Sequence, residues 1–274
     1  MVSRDAAAHI TTRLARLLAP PPSNLIRFVV DGDPVGFITP DRARRLAGFA
    51  VLQRQGDTLR LACHASERTA VMAEIARQLA QEGALTAWRD ERYEVRMRFD
   101  TPPLFELERA AARYFGVHTY AAHVNGLVRT EHGIGMWLAR RSATKAIDPG
   151  MLDNLVGGGI AAGATIQGTV VKESWEEAGI TGDIAARASN SAELTILRQQ
   201  PDGIQHETIF PHDLWLPPDW RPANQDGEAV GHRLASLDDV ARVLATDVEP
   251  DVMTADASLV AFDCLTRLAR APMC

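Results

Sequence analysis

The chain has 274 residues, 46% of them hydrophobic and 23% charged, and a formal net charge of −6 at pH 7. That length supports a sizeable core in one large domain or two small ones. The acidic balance, with no dense Lys/Arg cluster, argues against nucleic acid as a partner, and no apolar run approaches the ~20 residues that span a bilayer, so no membrane partner is expected.

Near the N-terminus Ile10, Leu14, Leu17 and Leu18 fall at helical spacing among Arg13 and Arg16. Asp5 interrupts the basic pattern, so an amphipathic first helix is expected rather than a transit peptide. After the break at PPPSN, the stretch LIRFVVDGDPVGFITP predicts a hairpin turning at Asp31-Gly32-Asp33-Pro34, and AVLQRQGDTLRLAC predicts another at Gly56-Asp57. A helix is expected over 65–83 with Val71, Ile75 and Leu79 on one face, then a period-two strand in RYEVRMRF. Thr101-Pro102-Pro103 breaks this unit, and LFELERAAARYFG is expected to be a short bridging helix. The division that follows is an N-terminal α+β domain over 1–116 and a second domain over 117–274. In the second, strands are expected in HTYAAHVNGLVR and GIGMWLARRS, and a hairpin turning at Pro201-Asp202-Gly203. Helices are expected at 236–246 and 254–270, giving a mixed sheet sandwiched by helices. Cys63, Cys264 and Cys274 show no metal-ligand spacing and fit the reduced thiols of a cytoplasmic protein.

The chemistry concentrates in GGGIAAGATIQGTVVKESWEEAGI, from Gly157 to Ile180. A P-loop needs lysine and then Ser or Thr after its last glycine, and here Ala164 follows Gly163 and Thr169-Val170 follow Gly168, which excludes it. Gly157, Gly159 and Ala162 match the dinucleotide spacing GxGxxG/A, but the preceding DPGMLDNLV is polar and turn-like where a buried strand should stand. Glu173, Glu176 and Glu177 lie at i, i+3 and i+4, so they share one helix face. Such a stripe is either a solvated acidic face or a cluster whose mutual repulsion a hard divalent cation relieves.

The joint pattern resembles the box of the Nudix (MutT-like) hydrolases, GX5EX7REUXEEXGU, where U is a bulky apolar residue. With Gly158 first, Glu173, Glu176, Glu177, Gly179 and Ile180 fall on its defining positions without an insertion. Ala164 stands in place of the first glutamate, Lys172 in place of arginine and Ser174 in place of the bulky apolar residue. The resemblance implies a Nudix α/β/α sandwich with a mixed sheet, preceded by a small α+β N-terminal domain. It implies Mg²⁺- or Mn²⁺-dependent hydrolysis of a small-molecule diphosphate. Its metal candidates are Glu173, Glu176, Glu177 and the backbone of Gly158, and its catalytic candidates are Glu173, Glu177 and, from a later loop, Glu228. Arg140 and Arg141, after the strand GMWLA, are the candidates for substrate phosphate.

The phrases LDNLVGGGIAAG, VGFITP, WRDERYEV and HETIFPHDLWLP further resemble the branch of Nudix proteins related to the domain fused to thiamine pyrophosphokinase. That branch implies thiamine diphosphate or an oxidised or damaged analogue as substrate, cleaved to the monophosphate plus phosphate. A nucleoside- or sugar-diphosphate hydrolase and a catalytically weak Nudix-like binding module stay open as alternatives, as does a homodimer. His206, His212 and His232 lack ligand spacing and are expected to be ordinary hydrogen-bonded histidines, and Trp137, Trp175, Trp215 and Trp220 to be core.

Overall fold

The computed structural model describes residues 4–145 and 147–270. Helix α1 (Arg4–Leu17) precedes the antiparallel hairpin β1 (Ile26–Val30) and β2 (Asp33–Ile38). Asp31 and Gly32 both take positive φ at its turn, the backbone that matches strand twist. Helix α2 (Pro40–Leu46) follows, then the hairpin β3 (Leu52–Gln55) and β4 (Thr58–Leu61) about Gly56-Asp57. β4 lies parallel to β1, so the first sheet has the order β2-β1-β4-β3. A single 3-10 turn at Ala65–Glu67 leads into α3 (Arg68–Gln81), which buries Met72, Ile75, Ala76 and Leu79.

The next segment departs from the sequence expectation. β5 (Arg92–Val95) stops early, because the Arg96 guanidinium turns back to donate to the carbonyls of Phe99 and Thr101. The expected bridging helix is half strand: β6 (Phe105–Glu108) pairs antiparallel with β5, and only then does α4 (Arg109–Phe115) begin. Phe105 and Leu107 alternate inward with Tyr93 and Val95, so the period-two burial of this stretch wins over the helical propensity of its second half. Phe28, Leu59, Met72, Leu79, Leu107 and Phe115 form one core beneath these elements.

The second half starts with the long strand β7 (His118–Thr130) and continues through β8 (Gly133–Arg141), β9 (Leu152–Asp153) and β10 (Val156–Gly159). Helices α5 (Ile166–Ala178) and α6 (Gly182–Ala185) come next, then β11 (Ser189–Asn190), β12 (Leu194–Gln200), β13 (Gly203–Leu216) and β14 (Ala229–Ser236). Helices α7 (Leu237–Leu244) and α8 (Ala255–Arg270) complete the described chain. β7 is the axis of an eight-stranded mixed sheet, parallel to β13 and antiparallel to β8 and β10. Its side chains alternate between two helical layers: Ala122, Val124 and Val128 join Val170 and Ala178 of α5, whereas Leu127 packs with Met136, Leu244 and Leu265. This is the α/β/α sandwich over a mixed sheet that the box implied.

Helix α1, which the expected division assigns to the first domain, packs with the second. Ile10 and Leu14 share a core with Leu127, Leu244 and Leu265, and the buried Arg13 donates to Asp247, Ser258 and the carbonyl of Met253. Arg13 is desolvated there, and four separate acceptors for its donors compensate.

The two halves meet where α4 passes into β7. Gly116 takes φ +57°, and a β-carbon on it would lie 1.9 Å from the Phe37 carbonyl, so the chain turns here only on glycine. Beside it His118 and His206 stack at 4.1 Å, with Phe37 against His206. Burial pushes the His118 imidazole down to about 3, with the neighbouring His206 charge adding to the effect, and burial pushes His206 down to about 4. Both rings are therefore neutral in the folded chain, whereas the unfolded chain takes up protons near pH 6.5. Their contribution is fully present above pH 6.5 and is lost as pH falls toward 4, at up to about 1.4 kcal/mol per pH unit for each ring. Chemical denaturation of the parent protein and of His206→Phe between pH 7.5 and 5 should show that the variant loses less stability on acidification than the parent protein does.

Candidate active site

Helix α5 begins at Thr165, whose hydroxyl accepts from the Gly168 amide, and ends at Gly179 in the left-handed conformation. Val170, Ser174 and Ala178 point into the core at four-residue spacing, which leaves Glu173, Glu176 and Glu177 along the flank beside β10. The glycines before the helix are strand rather than phosphate loop: β10 pairs Gly157 with His123, Gly158 with Ala122 and Gly159 with Ala121. Each lacks a side chain because another group occupies the space. A β-carbon on Gly157 would lie 2.8 Å from the His123 ring, one on Gly158 2.5 Å from the Glu173 carboxylate carbon, and one on Gly159 2.1 Å from the Tyr93 hydroxyl.

Glu177 is half-buried at this junction, and its Oε2 accepts from the Gly157 amide at 2.8 Å. Burial raises its carboxyl to about 8; the Gly157 N–H and Lys145 oppose the shift, and Asp153 and Glu173 reinforce it. Glu173 is raised as well, first by burial and then by Glu176 and Glu91, against the pull of Lys172. The Lys172 ammonium bonds Glu173 at 2.9 Å and Glu176 at 2.7 Å. Burial alone would lower Lys172, but those two bonds prevail and raise it.

A small cavity beside Glu177 is lined by Arg141, Lys145, Asp153, Asn154, Glu177 and Glu228, among others. It joins three of the sequence candidates: Glu177, Glu228 and Arg141. Arg141 is fixed by Asp153 and by the carbonyls of Ile147 and Asp148. Glu228 is no free turn residue, since Arg89 donates to it at 3.1 Å and Lys145 bonds its other oxygen. Arg140, the next residue on β8, is a correction. Its side chain goes to Asp251 and to the carbonyls of Gly150 and Pro250, and the strand alternation keeps it out of the cavity. Lys145, Asp153 and Asn154 had no sequence signal beyond ordinary loop composition. The buried chain His123–Asn154–Asn125–Asp213, at 2.8, 3.2 and 3.0 Å, holds Asn154 there, and only the sheet register brings it together.

The residues that depart from the box also find their places. Ala164 packs into an apolar cluster of Tyr120, Ile160, Phe210 and Phe99, so a carboxylate would sit against aromatic rings. Charge reaches the helix from the N-terminal half instead: Arg109 bonds Glu91, and both act electrostatically on the Glu173 side. Ser174 is fully buried and its hydroxyl has no hydrogen-bond partner. Trp137 and Trp220 pack edge to face in the core, as expected, whereas Trp175 is half exposed on the outer side of α5 and Trp215 lies under Arg129.

A family model described as the NUDIX domain matches residues 119–255, and one described as Domain of unknown function (DUF4743) matches residues 10–119. The chain belongs to the Nudix family. It is 38% identical over 201 residues to the Arabidopsis thaliana protein "Nudix hydrolase 20, chloroplastic", an alignment covering 73% of this chain and 53% of that one. It is 39% identical over 178 residues to "Nudix hydrolase 24, chloroplastic" of the same plant, covering 65% and 49%. The chain thus spans about half the length of these curated relatives. Among solved structures, DR0079 from Deinococcus radiodurans aligns with TM-score 0.47 and 22% identity, covering 64% of this chain and 99% of that one.

Whether the Nudix helix of this chain suits a divalent cation is decided by its donors. All three glutamates are hard oxygen donors, and a cation, the Lys172 ammonium, is already held between two of them. Desolvation, reinforced by Asp153 and Glu173, makes Glu177 hard to ionise, and the positive charge of a metal ion would offset both. The donor chemistry fits, although among the described residues no three such side chains already converge on one point. At the helix itself, Ser174→Ala removes an unsatisfied buried hydroxyl and should raise unfolding free energy by about 1 kcal/mol, read from the denaturation midpoint.

Proposed function

We propose that the protein is a Mg²⁺- or Mn²⁺-dependent pyrophosphohydrolase of a small organic diphosphate. Thiamine diphosphate or an oxidised analogue is the favoured substrate, cleaved to the monophosphate plus phosphate. The observation that carries the activity is the cavity in which Glu177 of the Nudix helix faces Arg141, Lys145 and Glu228. The substrate choice rests on the phrases in β2, β5, β10 and β13 that resemble the thiamine-related branch. The division into a first domain to residue 116 and a Nudix domain from residue 117 belongs to the same proposal, with α1 packed on the second.

In such a site Glu173, Glu176 and Glu177, with the Gly158 backbone beside Glu173, would hold the metal. Bound there, it offsets phosphate charge and lowers the pKa of attacking water. The residues of the chain do the rest. Arg141 and Lys145 present positive charge to the diphosphate, and Asp153 and Asn154 fix the wall of the cavity. Glu177 and Glu228 are the cavity carboxylates able to take the proton as a water oxygen attacks phosphorus and the bridging P–O bond breaks. A catalytically weak binding module is the second proposal, favoured by Lys172 holding both Glu173 and Glu176.

Phosphate release from thiamine diphosphate, oxidised thiamine diphosphate, nucleoside diphosphates and sugar nucleotides, with Mg²⁺ or Mn²⁺, separates these readings. We expect turnover that is fastest on the thiamine type and is abolished by chelator. Glu177→Gln should lower kcat by about 10²–10⁴ and Glu228→Gln by about 10². Tight binding without turnover on any member would defeat the hydrolase.

A further inference from the structure

The segment joining α3 to β5 belongs to the N-terminal half, yet it reaches the cavity of the Nudix half. Two residues with β-carbons, Ala87 and Asp90, take positive φ of 60° and 55° on either side of Trp88-Arg89. Backbone held in this sparsely populated region persists only where its surroundings impose it. The turn is pinned by the Trp88 indole donating to Asp90 at 2.7 Å and by the Arg89 amide donating to the buried Glu108 at 3.3 Å. The result aims the Arg89 guanidinium at Glu228, 3.1 Å away, while Lys145 takes the opposite oxygen of the same carboxylate.

Two cations therefore share one carboxylate at the edge of the cavity, and neither has another ion-pair partner among the described residues. Asp153 is already engaged by Arg141. A guanidinium and an ammonium converging on two oxygens form a ready mount for a phosphate group, which carries more charge and more acceptor oxygens than the carboxylate now between them. Arg89 remains partly exposed and Lys145 is mostly buried, so one is anchored and the other accessible from solvent.

We propose that Arg89 is a substrate-binding residue supplied by the N-terminal half. With Lys145 it forms a two-cation bracket that takes a phosphate of the organic diphosphate, and Glu228 is the anion that this phosphate displaces from the bracket. The proposal rests on the pyrophosphohydrolase assignment for the identity of the substrate, but the bracket itself is an anion site that binding alone can test. It gives the first half of the chain a part in recognition, since without this segment Glu228 would face Lys145 alone and the bracket would lack its second cation.

Calorimetric titration with inorganic pyrophosphate, without added divalent ion, on the full chain and its variants is the direct test. Arg89→Ala should weaken pyrophosphate binding about tenfold and raise KM for the organic diphosphate by a similar factor, with a smaller fall in kcat. Arg89→Lys should stay within about threefold of the parent protein. Glu228→Gln should tighten pyrophosphate binding, because it removes the anion that competes for both cations; a mere structural brace would not produce that gain. If Arg89→Ala lowers the melting temperature, Arg89→Gln, which still donates to Glu228 but carries no charge, takes its place with the same expected loss. Unchanged binding and KM in the folded Arg89 variants, or weaker binding in Glu228→Gln, would overturn the bracket. Arg89-dependent pyrophosphate binding in a protein that turns over no organic diphosphate would sustain the bracket and defeat the hydrolase instead.

Discussion

Close approach at three consecutive glycines is the constraint on which the rest of the molecule depends. Gly157, Gly158 and Gly159 let β10 lie against His123 of the sheet, Glu173 of the Nudix helix and Tyr93 of the N-terminal half. A side chain at any of the three would force one of those partners away. The same strand donates its Gly157 amide to Glu177, and the loop just beyond it donates the Ala162 amide to the Arg92 carbonyl. Sheet, helix and N-terminal half are thereby locked at one place, and the candidate site lies beside the lock.

Burial then sets the electrostatics. A carboxyl desolvated between β10 and α5 is hard to ionise, and the ammonium of Lys145 opposite it is lowered by the same desolvation, with Arg141 and Arg89 adding to the effect. Arg141 with Asp153 and Lys145 with Glu228 keep opposite charges adjacent in a small volume. Lys172 does the same on the outer flank, bridging Glu173 and Glu176 where repulsion along the helix would otherwise go uncompensated. These charges sit close together in partly dehydrated surroundings, so an incoming polyanion or cation changes the state of several groups at once.

Much of the fold was legible in the sequence because its signals are local. The hairpins at Asp31-Gly32, Gly56-Asp57 and Asp202-Gly203 follow from turn residues, and α3, α5, α7 and α8 from apolar periodicity or helix caps. The segment 92–115 differs from its local signal because two preferences overlap there: helix formers in the sequence, but burial that alternates, so β6 precedes α4. Helix α1 shows the other kind of loss. Its amphipathic stripe is plain, but nothing local says that it packs across the molecule onto α7 and α8.

The site divides along the same line. The sequence by itself determined the Nudix helix, the three glutamates on one of its flanks, the glycine strand before it and the family, because each rests on fixed spacing within about two dozen residues. Tertiary structure alone decided that Arg141 and not Arg140 faces the cavity, since strand alternation and the Asp251 contact settle the direction of each side chain. It alone brought Lys145, Asp153 and Asn154 to Glu177 and carried Arg89 across from the N-terminal half to Glu228. Those contacts join segments far apart in the chain: the pairing of β8 with β9 and β14 sets Arg141, Asp153 and Glu228 side by side, and the segment before β5 adds Arg89.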